Sequence, residues 1–188
     1  MGTFPLVNPL PLTLLLVSLG LVVWAAGFFF LGIGAEPAEG GQHPVRTVGV
    51  IALVGGLAAF LNIAYLLFIR PAPLGDTAIT VVALATPYAL FFTALGISAY
   101  NGLDLKPLAN ISIPIAVGSL FFITKFFDGD LLFQSSMVVW TVAFAAVWAT
   151  VYGRIPARWL GAILVFTSVW TFFLPALRTA LGLSFLTS

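Results

Sequence analysis

The stretch NGLDLKP, residues 101–107, stands between two long apolar runs and sets the pattern of the chain. A glycine, an acid, a base and a proline fall within these seven positions. Gly102 suits the end of one helix, and Pro107 suits the first turn of the next. The stretch therefore predicts a tight turn between two helices. Asp104 and Lys106 are expected to lie at the membrane interface, outside any substrate site.

Apolar residues dominate the chain on both sides of this turn. Of the 188 residues, 61% are hydrophobic and 7% are charged, whereas charged residues make up about a quarter of a soluble globular protein. A chain of this composition needs lipid as its solvent, and each span needs about 20 apolar residues. We predict an all-α membrane protein with one domain over residues 1–188. Its six transmembrane helices are expected at roughly 9–33, 47–69, 77–100, 108–126, 131–152 and 159–182.

The connections between the predicted spans are short, so the function must lie in the bundle itself. Four Lys and Arg side chains stand in the odd-numbered connections: Arg46, Lys106, Arg154 and Arg158. Three stand on the opposite side: Arg70, Lys125 and Arg178. Because positive residues favour the cytoplasmic side, this difference predicts that both termini lie outside.

Charged side chains are absent from the interior of the predicted spans. Ion-coupled transporters and proton pumps usually need a buried ionisable group, and no Asp, Glu or His lies deep in any span. The pattern therefore favours passive movement of a small neutral solute. Because backbone carbonyls bind sodium in some broken-helix transporters, an ion-coupled transporter stays an alternative. A non-transporting scaffold subunit is a second alternative, disfavoured by the short loops.

Enzymatic chemistry finds little support in the sequence. The chain has no cysteine, and its single histidine, His43, lies in a connection. Since a zinc site needs about four ligands, we predict no metal site. Ser135 and Ser136 have no nearby base to activate them. We therefore predict no catalytic residue and no cofactor, and the net charge of +1 gives no reason to expect nucleic acid.

Aromatic rings recur every four residues in two predicted spans. The third span carries Tyr88, Phe92, Gly96 and Tyr100 at this spacing. The fifth carries Trp140, Phe144, Trp148 and Tyr152. Such spacing places each set along one side of a helix. The sets indicate either ordinary packing and a lipid-facing belt or a narrow lumen walled by rings, and such a wall excludes ions.

Polar residues within the spans are few. Thr167, Ser168 and Thr171 cluster in the sixth span, where their hydroxyls can bond to their own helix or face a solute. Asn62 lies within the second span, and its amide must find a partner there. A structural hydrogen bond between helices is a more ordinary role for Asn62 than substrate binding.

Four motifs resemble the AmiS/UreI family, the urea and short-chain amide channels of bacteria, in corresponding order over most of the chain. NGLDLKP resembles the Gly-Leu-Asp-aromatic-Arg-Pro turn of that family. VGGLAAFLN at 54–62 is similar to the motif of its second helix. VWATVYGRIP at 147–156 resembles the end of its fifth helix, and TSVWTFFLPA at 167–176 resembles its last helix.

The resemblance implies three helical hairpins, a pore through each protomer and six protomers in a ring. It implies passage of urea or small aliphatic amides across a bacterial inner membrane without a cofactor. Thr167 replaces a buried glutamate of the family, and a hydroxyl binds an N–H pair less well than a carboxylate does, which leaves the choice of solute open. The family pattern and the hydroxyl cluster together give a pore-lining set: Tyr88, Phe92, Phe144, Trp148, Thr167 and Thr171.

Overall fold

The computed structural model describes residues 10–37, 39, 41–69, 77–123 and 131–181. The regular elements in these ranges are all helices, which confirms the predicted all-α class. They are α1 (Leu10–Phe30), α2 (Val45–Ile69), α3 (Thr77–Asn101), α4 (Lys106–Phe121), α5 (Leu131–Val151), α6 (Ala157–Thr167) and α7 (Leu174–Ala180). A π-helical segment, Ser168–Phe173, joins α6 to α7, so these three elements form one continuous last span.

Five helical stretches are long and apolar enough to cross a membrane: Leu12–Phe30, Val45–Ile69, Ala78–Asn101, Leu131–Val151 and Ala157–Ala180. They correspond to five of the six predicted spans. The fourth predicted span corresponds to α4, whose 16 residues extend about 24 Å against a hydrocarbon core of about 30 Å. Residues 9, 124–126 and 182 of the predicted spans lie outside the described residues, as do Arg70 and Lys125. Six spans and three hairpins stay predictions.

The turn between α3 and α4 forms as its sequence predicts. Gly102 follows the last residue of α3 with a φ of +68°, a left-handed conformation that side chains with a Cβ disfavour. The N–H of Leu103 donates to the carbonyl of Ser98 at 2.9 Å, which satisfies an acceptor at the helix end. Pro107 lies in the first turn of α4, where its missing N–H costs nothing.

The end of α5 has the same construction. Gly153 has a φ of +68°, and the N–H of Arg154 donates to the carbonyl of Ala149 at 2.7 Å. The ends of α3 and α5 are thus both fixed by a glycine and by a hydrogen bond that reaches back into the helix.

Small residues bring α2 and α3 into backbone contact. A methyl group placed on Gly96 would lie 2.4 Å from the backbone nitrogen of Leu53 and 2.7 Å from the carbonyl oxygen of Gly49. A methyl group on Gly56 would lie 2.6 Å from the backbone nitrogen of Thr93. Helices in lipid associate through such close approaches, because burial of apolar surface gains little there.

The helices contact one another in chain order, and α1 also contacts the last span, so they form a closed ring. The contact that closes the ring again uses glycines. A methyl group on Gly161 would lie 2.7 Å from the backbone nitrogen of Leu31 and 2.8 Å from the carbonyl oxygen of Gly27. By contrast, α3 and α4 touch only slightly. The ring surrounds a space between α1, α3, α4, α5 and the last span.

Candidate functional site

A cavity of about 480 Å³ occupies the space inside the ring. Its wall comes from α1, α3, α4, α5, α6, the π-helical segment and the 103–105 turn. One end, which we call the mouth, is formed by Leu103, Asp104 and Leu105 with the last residues of α5. The other end, which we call the floor, is formed by Tyr88, Trp140 and Phe172. The cavity thus lies along the helices, on the side of the membrane where the α3–α4 turn lies.

The floor is a cluster of aromatic rings in contact. The ring centroid of Tyr88 lies 4.7 Å from that of Trp140 and 5.2 Å from that of Phe144. Trp140 stacks on Phe172 with a centroid distance of 5.4 Å and an angle of 28° between the ring planes. Phe91 meets Phe144 edge-on at 5.0 Å. These separations are in the range where aromatic pairs attract one another, so the rings support each other's positions.

Hydrogen bonds to residues outside the cavity wall hold the rings of the floor in position. The indole Nε1–H of Trp140 donates to Oγ1 of Thr171 at 2.6 Å. The hydroxyl of Thr171 donates in turn to the carbonyl of Thr167 at 2.8 Å. The phenol of Tyr88 shares a hydrogen bond with the hydroxyl of Ser119 on α4. Two of these bonds join different helices, and the third lies within the last span, which carries Phe172. Together they give the floor a defined geometry.

The interior carries no charge among the described residues. The buried polar side chains there all bear hydroxyls: Ser112, Ser119, Ser136, Thr167, Ser168, Thr171 and Thr179. Asp104 contributes the one carboxylate in the described cavity wall, and it lies at the mouth. Thr150 is a wall residue at the same end, and Thr167 is a wall residue deeper in the cavity. An ion that moves past Asp104 into the cavity would lose its water without gaining a counter-charge from the described wall.

Four of the six predicted pore positions lie together in the cavity wall: Tyr88, Phe92, Phe144 and Thr167. The other two, Trp148 and Thr171, are not wall residues. Thr171 is buried behind Trp140, to which it is hydrogen bonded. The ring of Trp148 lies against Tyr152 instead, at a centroid distance of 5.2 Å.

Helix geometry explains the position of Trp148. At about 100° per residue, a four-residue step overshoots one turn by about 40°, so Trp148 lies about 80° around α5 from Trp140. A seven-residue step falls only about 20° short of two full turns. Such a step leads from Trp140 to Val147, which is a wall residue. In α3 the same step leads from Tyr88 to Leu95, also in the wall. Sequence reasoning missed both residues, and a seven-residue spacing would have found them.

The other members of the α3 aromatic series turn away from the cavity for the same reason. Gly96 faces α2, as its close approach to Leu53 shows. Tyr100 is exposed, and the guanidinium of Arg46 lies 6.0 Å from the centre of its ring. The four-residue series therefore combines two cavity positions with two positions that serve the contact with α2 or the surface.

The side-chain NH₂ group of Asn62 forms its hydrogen bond within its own helix. Its Nδ2 donates to the carbonyl of Ala58 at 2.8 Å, in place of the expected bond to another helix. α2 contributes no residue to the described cavity wall. The structural assignment of Asn62 stays a prediction, and its observed bond is local to α2.

The mouth includes a residue that the sequence reasoning set aside. Asp104 is exposed on the α3–α4 turn, as an interface residue is expected to be, and it also lines the end of the cavity. One of its carboxylate oxygens accepts the backbone N–H of Lys106 at 2.9 Å, which holds the side chain in place. The turn between α3 and α4 is therefore part of the site.

A second, smaller cavity of about 180 Å³ lies between α3 and α4. Pro87 and Pro114, which stand inside these two helices, both line it. Tyr88 lines this cavity as well as the larger one, so its ring stands between the two.

No protein-family model matches the sequence, and no curated protein matches it either. Solved structures do match. A closed-state structure of the Helicobacter pylori urea channel superposes with a TM-score of 0.75 at 14% identity, over 90% of this chain and 97% of that one. A crystal structure of the urea channel from the same organism gives a TM-score of 0.74 at 16% identity, over 91% and 98%.

The chain has the fold of a urea channel. The resemblance to the AmiS/UreI family, drawn from four ordered motifs, is thus confirmed at the level of the fold. The likeness extends over nearly the whole length of both solved chains, so it describes the entire bundle. The urea-channel fold and the apolar helices make this an integral membrane protein.

Proposed function

We propose that the protein is a passive membrane channel for urea or short-chain aliphatic amides, with a pore through each protomer. The observation that carries the proposal is a ring-walled cavity of about 480 Å³ inside a bundle with the urea-channel fold, whose one charged residue in the described wall, Asp104, lies at the mouth. The solved neighbours are channels for urea, which supports the assignment to transport rather than catalysis.

The chemistry of the wall supports a neutral solute. A charged solute would lose its hydration against aromatic and aliphatic side chains at a cost of many kcal/mol. Urea or acetamide loses only hydrogen bonds, and the hydroxyls of Thr150 and Thr167 offer partial replacements. Flat molecules also fit between aromatic faces, to which they can bind by stacking. The wall thus discriminates by charge first and by shape second.

The same wall supports passive rather than coupled transport. A coupled mechanism needs a site where the driving ion binds in the membrane, and such sites usually hold an acid or another ionisable group. Among the described residues the buried polar groups are hydroxyls of Ser and Thr. We infer that the solute moves down its own gradient.

We propose α4 as the sixth span, completing three hairpins, and both termini outside a bacterial inner membrane. α4 carries no charged residue beyond Lys106, and the 103–105 turn that precedes it lies at the cavity mouth, where a membrane surface is expected. The assembly of six protomers in a ring rests on the family resemblance. Lipid then covers the outward apolar side chains, such as Leu61 and Phe68, which are 74% and 79% exposed in the protomer.

The six predicted pore positions take different roles in this proposal. Tyr88, Phe92, Phe144 and Thr167 contact the solute from the cavity wall. Thr171 positions the Trp140 ring from behind, and we assign Trp148 no contact with the solute. We add Trp140 to the solute-contacting set because it forms the floor with Tyr88.

Osmotic swelling of proteoliposomes tests the proposal. Liposomes are shrunk in a gradient of urea, formamide or acetamide, and their re-swelling is followed by light scattering. We expect protein-containing liposomes to re-swell faster than empty ones, at a rate unchanged when proton and sodium gradients are abolished. Equal rates with and without protein for every solute would refute the channel, and a rate that follows an ion gradient would establish coupled transport instead.

A pair of tryptophan substitutions on α3 tests the route. Leu95 lies in the cavity wall, whereas Leu90 on the same helix is 55% exposed on the outer surface. Leu95→Trp fills part of the cavity and should slow re-swelling severalfold, while Leu90→Trp adds the same group outside and should leave the rate unchanged. Equal slowing by both would show that the solute does not pass through this cavity.

A further inference from the structure

Thr150 carries the one buried polar side-chain atom without a hydrogen-bond partner among the described residues, its hydroxyl oxygen. The other threonine hydroxyls of the last span and α5 are paired. Those of Thr141, Thr167 and Thr171 each donate to the carbonyl four residues earlier in their own helix, the usual arrangement for a helical threonine. Thr150 belongs to the cavity wall, but its hydroxyl oxygen is itself buried, so this unused donor reaches the solute path only after rotation about χ1.

The end of α5 holds Thr150 beside the α3–α4 turn. The hydroxyl of Tyr152, two residues further along, donates to the amide oxygen of Asn110 on α4 at 2.8 Å. α4 begins at Lys106, directly after the turn that carries Asp104. Thr150 and Asp104 therefore belong to the same end of the same cavity.

Asp104 supplies the acceptor at this end. Its carboxylate accepts the backbone N–H of Lys106 at 2.9 Å, but a carboxylate has about four acceptor positions. The backbone bond orients the side chain and leaves capacity for further N–H donors. Carboxylates bind such donors more strongly than neutral oxygens do.

We propose that Asp104 and Thr150 form a hydrogen-bonding site at the mouth that selects solutes carrying both a carbonyl oxygen and N–H groups. The hydroxyl of Thr150 donates to the carbonyl, and the carboxylate of Asp104 accepts from the N–H. Rotation about χ1 exchanges the hydroxyl and methyl positions of a helical threonine, which has two accessible rotamers. Deeper in the wall, the hydroxyl of Thr167 is committed to the carbonyl of Ile163 at 2.7 Å and offers only acceptor capacity. The mouth is thus where donor and acceptor occur together.

This inference rests on the proposed channel function, and swelling rates for two solutes test it. Acetamide has both groups, whereas glycerol is a neutral solute without carbonyl or N–H. Thr150→Val keeps the shape and removes the hydroxyl, and Asp104→Asn keeps an oxygen for the Lys106 N–H and removes the charge. We expect each to lower the acetamide-to-glycerol rate ratio about two- to tenfold, the effect of one hydrogen bond.

Two further variants control for general effects of hydroxyl loss. Thr86→Val also removes a threonine hydroxyl, one that donates to Val82 within α3 and lies outside the cavity wall, and it should keep the wild-type ratio. Thr150→Ser keeps the donor and should keep most of the ratio. Thr150→Val should unfold at no lower temperature than wild type, since it removes an unpaired buried hydroxyl.

The outcomes separate this inference from the function on which it rests. A wild-type protein that passes neither solute faster than empty liposomes would refute the channel itself. A wild-type protein that passes acetamide, together with a Thr150→Val variant that keeps its ratio or slows both solutes equally, would refute the mouth site alone. Should Asp104→Asn fail to reconstitute, Thr150→Val and Thr150→Ser decide the question.

Discussion

The hydrogen bond between Trp140 and Thr171 gives the sharpest test of how the cavity floor is held. Nε1 of Trp140 lies 2.6 Å from Oγ1 of Thr171, and the two residues are 8% and 1% exposed. Thr171→Val keeps the volume and removes the acceptor, and Trp140→Phe keeps a ring and removes the donor. The wild type, the two single variants and the double variant form a double-mutant cycle.

Two magnitudes bear on the expected coupling. A buried donor left without a partner costs about 1–3 kcal/mol, whereas hydrogen bonds between membrane helices average about 0.6 kcal/mol with a maximum near 1.7. Because this bond is short and both ends are buried, we expect a coupling of about 1 kcal/mol. Thr171→Val also loses the bond to the carbonyl of Thr167, but this loss is present with either residue at position 140 and cancels in the cycle.

The assay is unfolding by dodecyl sulfate in mixed micelles, with the free energy extrapolated to one common detergent composition. Thr171→Ser, which keeps a hydroxyl, serves as the control and should retain most of the coupling. A coupling below about 0.3 kcal/mol, within the additivity expected of independent sites, would show that the bond does not hold the ring. The Thr171→Val variant should also pass solutes larger than acetamide faster, since a loosened indole leaves the floor less closed.

Three further predictions concern the α2–α3 contact, the turn after α3 and the face of α5 that lines the cavity. Gly96→Ala should lower stability by about 2 kcal/mol because its methyl group meets the α2 backbone, while Gly118→Ala, with no atom within 4 Å of the added methyl, should gain about 0.5–1 kcal/mol from helix propensity. Equal unfolding midpoints for the two would contradict the α2–α3 contact. Gly102→Ala should cost about 1 kcal/mol because of its positive φ, and an unchanged midpoint would refute that conformation. Phe144→Ala should raise swelling rates for larger amides and Trp148→Ala should not, and the reverse result would place the lumen on another face of α5.

Much of the fold follows from composition and from two residues of one turn. The apolar runs predicted five spans that the helices confirm, because length and hydropathy alone decide what can cross lipid. Gly102 and Pro107 marked the end of α3 and the start of α4, since each residue has a backbone conformation that suits its place. The closure of the ring was not predictable, because the close approach of Gly27 to Gly161 depends on the pairing of distant helices.

The candidate site was predictable only in part, for reasons of helix geometry and of distant contact. Tyr88, Phe92, Phe144 and Trp148 were assigned to the pore through the family resemblance, since the aromatic spacing alone also fitted ordinary packing. The structure places the first three in the cavity wall but not Trp148. A four-residue spacing drifts around the helix and could not separate Trp148 from the others. Thr150 carried no signal at all, since a threonine near a helix end is ordinary until the structure shows that its hydroxyl has no partner.

The scarcity of polar groups along the cavity has a consequence for energy conservation. Protons cross membranes along unbroken files of water, in which each water molecule passes a proton to the next. Such a file needs polar groups that hold the water molecules in place. Between the mouth and the floor the described wall offers few polar side chains besides Thr167, so we expect a file of water to be interrupted there. A bilayer containing this protein is therefore expected to keep its electrical potential while small neutral molecules equilibrate across it.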